Sequence, residues 1–284
     1  LSHYKTKIVN VGLYDANGNP MDDIGSRWFI GQPISVNYDY RFIGIWQITD
    51  PSNPNGQQDP NYRYSIPGYM KYHDKDGVND ITPADKEIIG SAIPKVTMGM
   101  TNTFRYKGFD LSIFINGSYG NKVYNYLKMK MTSMSGAWSN QLADVVNRAR
   151  LEPIDATVVY ADGTQWYDHI ENVRVANPSA SLPRAAIGDP NDNDRISDRY
   201  IEDGSYIRLK NIAFGYTFPK KWIKTIGVEN LRVYMNIQNL LTITGYDGYD
   251  PEIGVNTQNV NVYGMDFGRY PSPTTYSFGL SLTF

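Results

Sequence analysis

The sequence Pro273-Thr-Thr-Tyr-Ser-Phe-Gly-Leu-Ser-Leu-Thr-Phe284 repeats with a period of two residues. Aromatic or aliphatic side chains occupy one parity, and glycine, serine and threonine occupy the other; the apolar set is Tyr276, Phe278, Leu280, Leu282 and Phe284. Successive side chains of a β-strand point to opposite faces, so this period predicts a strand. One face of that strand is apolar and the other is small or polar.

Two classes of protein contain such a strand. It occurs half-buried in soluble β-sandwiches, and it occurs in bacterial outer-membrane β-barrels, where a terminal aromatic residue such as Phe284 acts as the assembly signal. The composition favours the barrel, because Tyr occurs 23 times, Gly occurs 25 times and Cys is absent. No stretch has the roughly 20 apolar residues of a transmembrane helix. The net charge of -2 gives no reason to expect a nucleic-acid partner.

The same alternation recurs in five further segments, with a weaker one at residues 5–14; the five are residues 34–42, 96–105, 109–118, 206–218 and 231–238. A tilted segment of about 10 residues crosses the apolar band of an outer membrane, which is roughly 25 Å thick. Four charged residues of these segments fall on the polar parity: Arg41, Arg105, Asp110 and Arg232. Within residues 206–218 the apolar parity changes, which predicts a β-bulge at Lys210 or Asn211.

The predicted connections alternate between short and long. A tight hairpin is expected through Tyr106, Lys107 and Gly108, and a modest turn between Phe218 and Leu231. Long connections cover residues 43–95, 119–205 and 242–274, and helical spacing within residues 141–151 predicts a short amphipathic helix there. Short periplasmic turns and long extracellular loops are typical of outer-membrane barrels. We therefore expect seven or eight membrane-length strands, with the long connections outside the cell.

Several blocks of the sequence resemble, in the same order, the carboxy-terminal region of the SusC/RagA family, the TonB-dependent outer-membrane transporters of Bacteroidetes. The blocks extend over most of the chain, which makes the resemblance specific. They are Ile66-Pro67-Gly68-Tyr69-Met70-Lys71-Tyr72, Asp74-Lys75-Asp76-Gly77, Ile88-Ile89-Gly90, Tyr106-Lys107-Gly108-Phe109-Asp110-Leu111-Ser112, Asp198-Arg199-Tyr200-Ile201-Glu202-Asp203-Gly204-Ser205-Tyr206-Ile207-Arg208-Leu209, Gln238-Asn239-Leu240 and Tyr249-Asp250-Pro251-Glu252.

The resemblance implies an all-β fold, a transmembrane antiparallel β-barrel of about 22 strands with long extracellular loops and an amino-terminal plug. Residues 1–284 are then expected to be the carboxy-terminal part of that barrel, without the plug and the amino-terminal strands. The implied function is TonB-dependent import of oligosaccharides or oligopeptides through the bacterial outer membrane. The implied partners are a SusD-like surface lipoprotein, the remaining plug and barrel, the TonB complex acting through the plug, and membrane lipids.

Two other functions fit parts of the pattern. An outer-membrane adhesin or structural barrel would have similar strands but no transport. A soluble glycan-binding β domain would also alternate apolar and polar residues, and it would purify without detergent. A catalytic function has no support in the sequence, because it contains no Cys nucleophile and no Gly-rich phosphate loop, and its three His residues lack zinc spacing. We therefore expect no enzyme activity and no cofactor other than a structural calcium ion.

A calcium loop is the one metal site that the sequence predicts. In residues 74–85, oxygen donors occupy most ligand positions of a loop that wraps around Ca²⁺. The candidate ligands are the carboxylates of Asp74, Asp76 and Asp85, the backbone carbonyl of Asp80, and Thr82 either directly or through water. The loop departs from that pattern at Val78 and Asn79, where an oxygen donor and a glycine are usual. The alternative is a solvated acidic turn.

Aromatic residues in the predicted extracellular loops are candidates for contact with a substrate or a partner protein. Aromatic rings can stack on sugar rings or form the centre of a protein interface. The candidates are Trp138, Trp166, Tyr246, Tyr249 and Tyr263. The alternative for each of them is a role in folding its own loop.

Overall fold

A computed structural model of the chain describes residues 1–3, 5–50, 66–78, 81–136, 138, 140–189, 191–253 and 264–284. Its strands are β1 (Ser2–His3), β2 (Val36–Asp39), β3 (Phe42–Ile45), β4 (Met70–Tyr72), β5 (Glu87–Ser91), β6 (Val96–Tyr106), β7 (Phe109–Tyr119), β8 (Lys122–Asn125), β9 (Leu151–Pro153), β10 (Val173–Val175), β11 (Ile201–Asp203), β12 (Tyr206–Thr217), β13 (Asn230–Thr244), β14 (Met265–Asp266) and β15 (Thr275–Thr283).

The helices are short. Two are α-helical, α1 (Tyr126–Thr132) and α2 (Lys220–Ile223); the 3₁₀ helices are Pro83–Asp85, Ala143–Asn147, Trp166–Asp168, Ile170–Asn172, Asp198–Tyr200 and Lys224–Ile226. Across the described ranges, none of these helices has the length and apolar character needed to cross a membrane.

The chain divides into two compact units. The sheet unit contains Leu1–Val36, Gly90–Val123 and Glu202–Phe284, and the loop unit contains Asn37–Ile89 and Tyr124–Ile201. The chain passes from one unit to the other within four short strands, β2, β5, β8 and β11. Of these, β2 pairs with β5, and β8 lies between β11 and β14.

The sheet unit is built around a six-stranded antiparallel sheet with the order β1-β6-β7-β12-β13-β15. Five of the strands have nine or more residues, and β1 has two. Long strands form here because each has the two-residue alternation that allows one face to differ from the other. The register aligns these alternations across neighbouring strands.

The register brings the apolar residues of five strands into continuous rows. One row runs Phe104, Leu111, Phe214, Met235 and Phe278 across β6, β7, β12, β13 and β15. The next runs Tyr106, Phe109, Tyr216, Val233 and Leu280. Side chains in such rows contact their cross-strand neighbours, which stabilises the register. The sheet therefore has one continuous apolar face.

The opposite face carries polar and small residues in rows of the same kind. One row runs Thr103, Ser112, Ala213, Asn236 and Ser277. The charged residues predicted on the polar parity of these strands, Arg105, Asp110 and Arg232, also lie on this face.

The predicted β-bulge is confirmed. The register shifts between Leu209 and Asn211, which leaves Lys210 as an extra residue of β12 relative to β7. A further irregularity lies opposite it in β13, where Asn239 has a left-handed backbone with φ 52°. Because of the extra residue, the apolar residues on both sides of Lys210 stay on the same face.

The tight hairpin between β6 and β7 is also confirmed. Lys107 and Gly108 have φ angles of 46° and 90°, the positive values of a two-residue turn that suits the twist of a hairpin. A Cβ on Gly108 would lie 2.6 Å from the Thr217 carbonyl oxygen, so only glycine fits at this position.

The loop unit has its own small core. Its buried apolar residues include Met70, Tyr72, Val173, Leu182 and Tyr200. Antiparallel pairs β3–β4 and β9–β10 supply its regular structure. The long connections predicted at residues 43–95 and 119–205 thus contain folded elements rather than extended loops.

Two predictions about local structure are wrong, and a third is correct only in part. Residues 34–42 do not form a membrane-length strand: they contain β2, whose Asn37 and Asp39 are buried, and Arg41 pairs with Glu87 at 3.3 Å. Residues 5–14 form isolated bridges only, so the described chain has five long strands instead of seven or eight. The short helix predicted within residues 141–151 is present, but as the 3₁₀ helix Ala143–Asn147 and not as an α-helix. The longest α-helix of the described residues is α1, which the sequence did not predict.

Candidate functional site

The apolar face of the six-stranded sheet is exposed within the sheet unit. Phe278 is 77% exposed and Phe104 is 59% exposed at the two ends of one apolar row, and Phe214 in the middle of that row is 41% exposed. Phe284, the candidate assembly signal, follows β15 and is 80% exposed. An exposed apolar surface of this extent is typical of a surface that contacts lipid or another protein.

A buried ionic cluster lies on the polar face, where the connection after β13 returns to β12. Arg208 is 2% exposed; it donates to Asp250 at 2.5 Å and to Glu252 at 2.7 Å. Its Nε donates to Thr242 Oγ1 at 2.8 Å, and Lys210 donates to Glu252 at 2.8 Å. Every polar group of the cluster therefore has a partner of opposite charge or a hydrogen-bond acceptor.

Asp250 connects both ends of this connection to the sheet. Its Oδ1 accepts the backbone N–H of Glu252 at 2.9 Å, and its Oδ2 accepts that of Ser272 at 3.1 Å. Burial alone would raise the pKa of Asp250, but the hydrogen bonds from Arg208, Glu252 and Ser272 lower it to about 2. The carboxylate is thus ionised at neutral pH and holds the base of the connection together.

A second ion pair lies near the hairpin end of the polar face. Arg232 Nη2 is 2.7 Å from Asp110 Oδ2. The pair crosses Gly215, where a Cβ would lie 2.5 Å from Arg232 Nη2. The absence of a side chain at Gly215 therefore gives the ion pair its space on the strand surface.

The acidic loop brings three of its five predicted ligands together. One carboxylate oxygen from each of Asp74, Asp76 and Asp85 lies within 4.8 Å of the others. Thr82 instead caps the following 3₁₀ helix by accepting the Ala84 N–H at 3.1 Å, and Asp80 lies outside the described residues.

Backbone hydrogen bonds hold the acidic loop in this shape. The buried Asp85 accepts the N–H of Lys75 at 2.8 Å through Oδ1 and that of Thr82 at 2.7 Å through Oδ2. Asp74 Oδ1 accepts the N–H of Gly77 at 2.6 Å. Three carboxylates on a fixed backbone form an oxygen-rich site of the kind that suits Ca²⁺.

The candidate aromatic residues differ in exposure. Trp138 is 99% exposed and Tyr249 is 62% exposed, so both rings are accessible within their own units. Trp166 is half-buried and contacts Tyr167 edge-on, with ring centroids 5.6 Å apart. Tyr246 is buried and donates to Asp266 at 2.7 Å, which gives it a role in folding its own loop. Tyr263 lies outside the described residues.

Two polar groups of residues were not singled out as sites from the sequence. Arg208, Asp250 and Glu252 entered only as parts of family-like blocks, because partners 42 residues apart show no local spacing. The second group lies around Asp189, where Asn193 is buried and its Oδ1 accepts the Met70 N–H at 2.8 Å. Burial raises the pKa of Asp189, which accepts the Asn193 side-chain amide at 2.6 Å.

Comparisons with known proteins identify relatives of one kind. The chain is 35% identical over 258 residues to TonB-dependent receptor P3 of Formosa agariphila, a match that covers 89% of this chain and 22% of that receptor. It is 30% identical over 215 residues to TonB-dependent receptor SusC of Bacteroides thetaiotaomicron, covering 74% of this chain and 17% of SusC. The chain thus spans about a quarter or less of these relatives. A scan against protein-family models gives no match.

The fold matches a solved structure of the same kind. The RagAB peptide transporter superimposes with a TM-score of 0.60 over 90% of this chain and 24% of the transporter chain, at 20% sequence identity. The sequence comparisons and the fold comparison are therefore consistent with each other. This chain belongs to the SusC/RagA family of TonB-dependent receptors.

Proposed function

We propose that the protein containing this chain is a TonB-dependent importer of the bacterial outer membrane, and that the six-stranded sheet is part of its transmembrane β-barrel. The observation that carries this proposal is the continuous apolar face of five long strands. Strands of about 10 residues match the apolar band of an outer membrane. A soluble glycan-binding domain would bury such a face in its core, so the exposed apolar rows argue against that alternative.

The polar face is proposed to line the lumen of the barrel. Its hydroxyl and amide side chains, with the Asp110–Arg232 pair, can contact water and polar solutes. The known relatives are named as receptors, and RagAB is named as a peptide transporter. The nutrient would be an oligosaccharide or an oligopeptide too large for passive diffusion, and the chain would have no catalytic role.

The proposed partners follow from the same family. A SusD-like surface lipoprotein would cover the barrel outside the cell, and the TonB complex would act through a plug. The accessible rings of Trp138 and Tyr249 are the best candidates for contact with the nutrient or the lipoprotein. Aromatic side chains supply a large contact area at a low entropic cost, which supports such a role.

Nutrient uptake by a deletion strain tests the proposed function. Wild-type cells and cells that lack the complete gene receive a panel of radiolabelled oligosaccharides and oligopeptides. We expect wild-type cells to import at least one compound, and deletion of the gene or a proton uncoupler to abolish that import. Unchanged import, together with lost attachment to a surface, would favour an adhesin instead.

We also propose that the acidic loop binds a structural calcium ion through Asp74, Asp76 and Asp85. The convergence of three carboxylate oxygens supports the proposal, because like charges at this distance repel unless a cation or protons neutralise them. Calcium titration calorimetry of the complete protein tests it. We expect the binding heat to disappear in the double variant Asp74→Ala, Asp76→Ala, and to persist in the control Asp155→Ala, Asp162→Ala. Equal heats in both variants would refute the site.

A further inference from the structure

The turn between β12 and β13 has an unusual surface for so short a connection. Its sequence is Pro219-Lys-Lys-Trp-Ile-Lys-Thr-Ile-Gly-Val228, and it folds as α2 followed by the 3₁₀ helix Lys224–Ile226. Gly227 ends the helix in the left-handed region with φ 75°. Ile223 and Val228 are 3% and 6% exposed, so they anchor the turn on the sheet unit. The turn is therefore a fixed structure with a defined outer surface.

That outer surface combines apolar and cationic side chains. Trp222 is 58% exposed and Ile226 is 70% exposed. Lys220, Lys221 and Lys224 are exposed, and their ammonium groups make no ion pair or hydrogen bond with any residue of the described ranges. In residues 219–229 the single carboxylate is Glu229. The turn thus has an uncompensated positive charge next to a large aromatic ring.

The neighbouring sheet end is rich in aromatic residues. The rings of Phe109 and Tyr216 are 4.3 Å apart, and those of Tyr216 and Phe218 are 4.9 Å apart. Tyr106 is 67% exposed, and Lys107 lies over its ring at 5.1 Å. Toward the turn, aromatic rings on the sheet are followed by the cationic side chains of the turn. This order matches a membrane interface, where aromatic rings lie at the headgroup level and lysines reach the phosphates.

We propose that Lys220, Lys221 and Lys224, with Trp222 beside them, bind the headgroups of anionic phospholipids in the periplasmic leaflet of the outer membrane. The inference rests on the proposed membrane location of the sheet. Short turns of outer-membrane barrels lie on the periplasmic side, where the lipids are phospholipids. Anionic lipid attracts lysines near the surface, and the attraction weakens as salt screens it. The rival partner is an acidic periplasmic protein.

Lipid selectivity of the complete protein tests the proposal. The purified protein is equilibrated with equal amounts of phosphatidylglycerol and phosphatidylcholine, and the lipids retained are counted by native mass spectrometry. We expect wild type to retain phosphatidylglycerol preferentially at low salt. In the triple variant Lys220→Gln, Lys221→Gln, Lys224→Gln, that preference should fall about fivefold or more, the factor expected from the loss of one lysine at an anionic surface.

A matched control removes three exposed lysines elsewhere, as Lys5→Gln, Lys7→Gln, Lys95→Gln, and should retain the wild-type preference. Equal lipid ratios in wild type and the triple variant would overturn the proposal. The proposal would also be overturned if the triple variant lost cross-linking to a periplasmic protein while its lipid ratio stayed unchanged. A test of membrane insertion distinguishes failure of the proposed function from failure of the lipid site. A protein that urea extracts from outer membranes refutes the proposed function itself, whereas an inserted, transporting protein without lipid preference refutes only the lipid site.

Discussion

The two faces of the six-stranded sheet are built from alternate residues of the same strands, yet they are stabilised differently. The polar face forms its own contacts, such as the Asp110–Arg232 pair and the bonds of Arg208 to Asp250 and Glu252. The apolar face has rows of large side chains that remain exposed in the described sheet unit. These charged groups of the polar face thus find partners within the described sheet unit, whereas the apolar face depends on its surroundings.

This difference shows which contacts the sequence supplies and which the environment supplies. Burial of one large apolar side chain is worth about 1.5–3 kcal/mol, and a bilayer provides that burial without any protein partner. Charged side chains on the polar face instead need partners of opposite charge. Substitutions on the two faces should therefore have different consequences, and the following experiments, in isolated outer membranes or on the complete protein, measure them.

The largest effect is expected at Arg208. In Arg208→Met, the carboxylates of Asp250 and Glu252 lose their buried cation, and breaking a buried pair in this way costs about 3–5 kcal/mol. Because Asp250 holds the base of residues 245–274, proteinase K should cleave this connection faster in outer membranes. The control Arg174→Met breaks an exposed pair with Glu152, worth less than about 1 kcal/mol. Equal cleavage in the two variants would contradict the anchoring role.

The next largest effect is expected when an arginine is placed on the apolar face and compared with an arginine on the polar face. Ile237 lies in an apolar row with Ile212 and Tyr276, whereas its neighbour Asn236 lies in a polar row. An arginine that faces lipid near the midplane costs about 2–4 kcal/mol. Ile237→Arg should therefore reduce the amount of folded protein in the outer membrane, scored by heat-modifiable migration on gels, and Asn236→Arg should not. A similar loss for both would contradict the assignment of the faces.

A smaller effect is expected at Gly215, on the polar face. An added methyl group would lie 2.5 Å from Arg232 Nη2 and 2.8 Å from Asp110 Oδ1, so the ion pair would have to move. Overpacking of this kind costs about 1–3 kcal/mol. Gly215→Ala should lower the urea midpoint of the complete protein. Gly245→Ala, where a Cβ meets nothing within 4 Å, is the control and should leave the midpoint unchanged.

The smallest effect concerns pH. The pKa of Asp250 is lowered to about 2 by its hydrogen bonds, from an ordinary value of 3.8. A depressed carboxyl pKa stabilises the folded state above the ordinary value, and this stabilisation is lost as the pH falls toward 2. Pepsin cleavage within residues 245–274 should therefore rise as the pH falls from about 4 to about 2. Asp250→Asn should be cleaved at pH 4 already; a wild-type profile for this variant would count against the role of the charge.

The sequence predicted the sheet unit well because its information is local. Alternation within each strand predicted β6, β7, β12, β13 and β15, and the change of parity predicted the bulge at Lys210. The same rule failed at residues 34–42, where alternation is present but Asn37 and Asp39 are buried. A two-residue period predicts that two faces differ; it does not show what covers each face.

The candidate sites divide in the same way. Regular spacing within a dozen residues predicted that Asp74, Asp76 and Asp85 would converge. The contact of Arg208 with Asp250 depends on where a long connection returns to the sheet, and no local pattern encodes that return. The buried Asn193 is a similar case, because its partner Met70 lies 123 residues away.

The bulge at Lys210 has a consequence for the shape of the six-stranded sheet. In β7, one residue separates the cross-strand row that contains Ile113 from the row that contains Ile115. Two residues of β12, Lys210 and Asn211, lie between the same two rows, and three residues of β13, Gln238 to Leu240, do so. From β7 to β12 to β13, each strand thus has more backbone between the same two rows. A sheet whose neighbouring strands differ in backbone length between the same two rows cannot stay flat, so this stretch curves the sheet locally. A sheet must curve in order to close into a barrel.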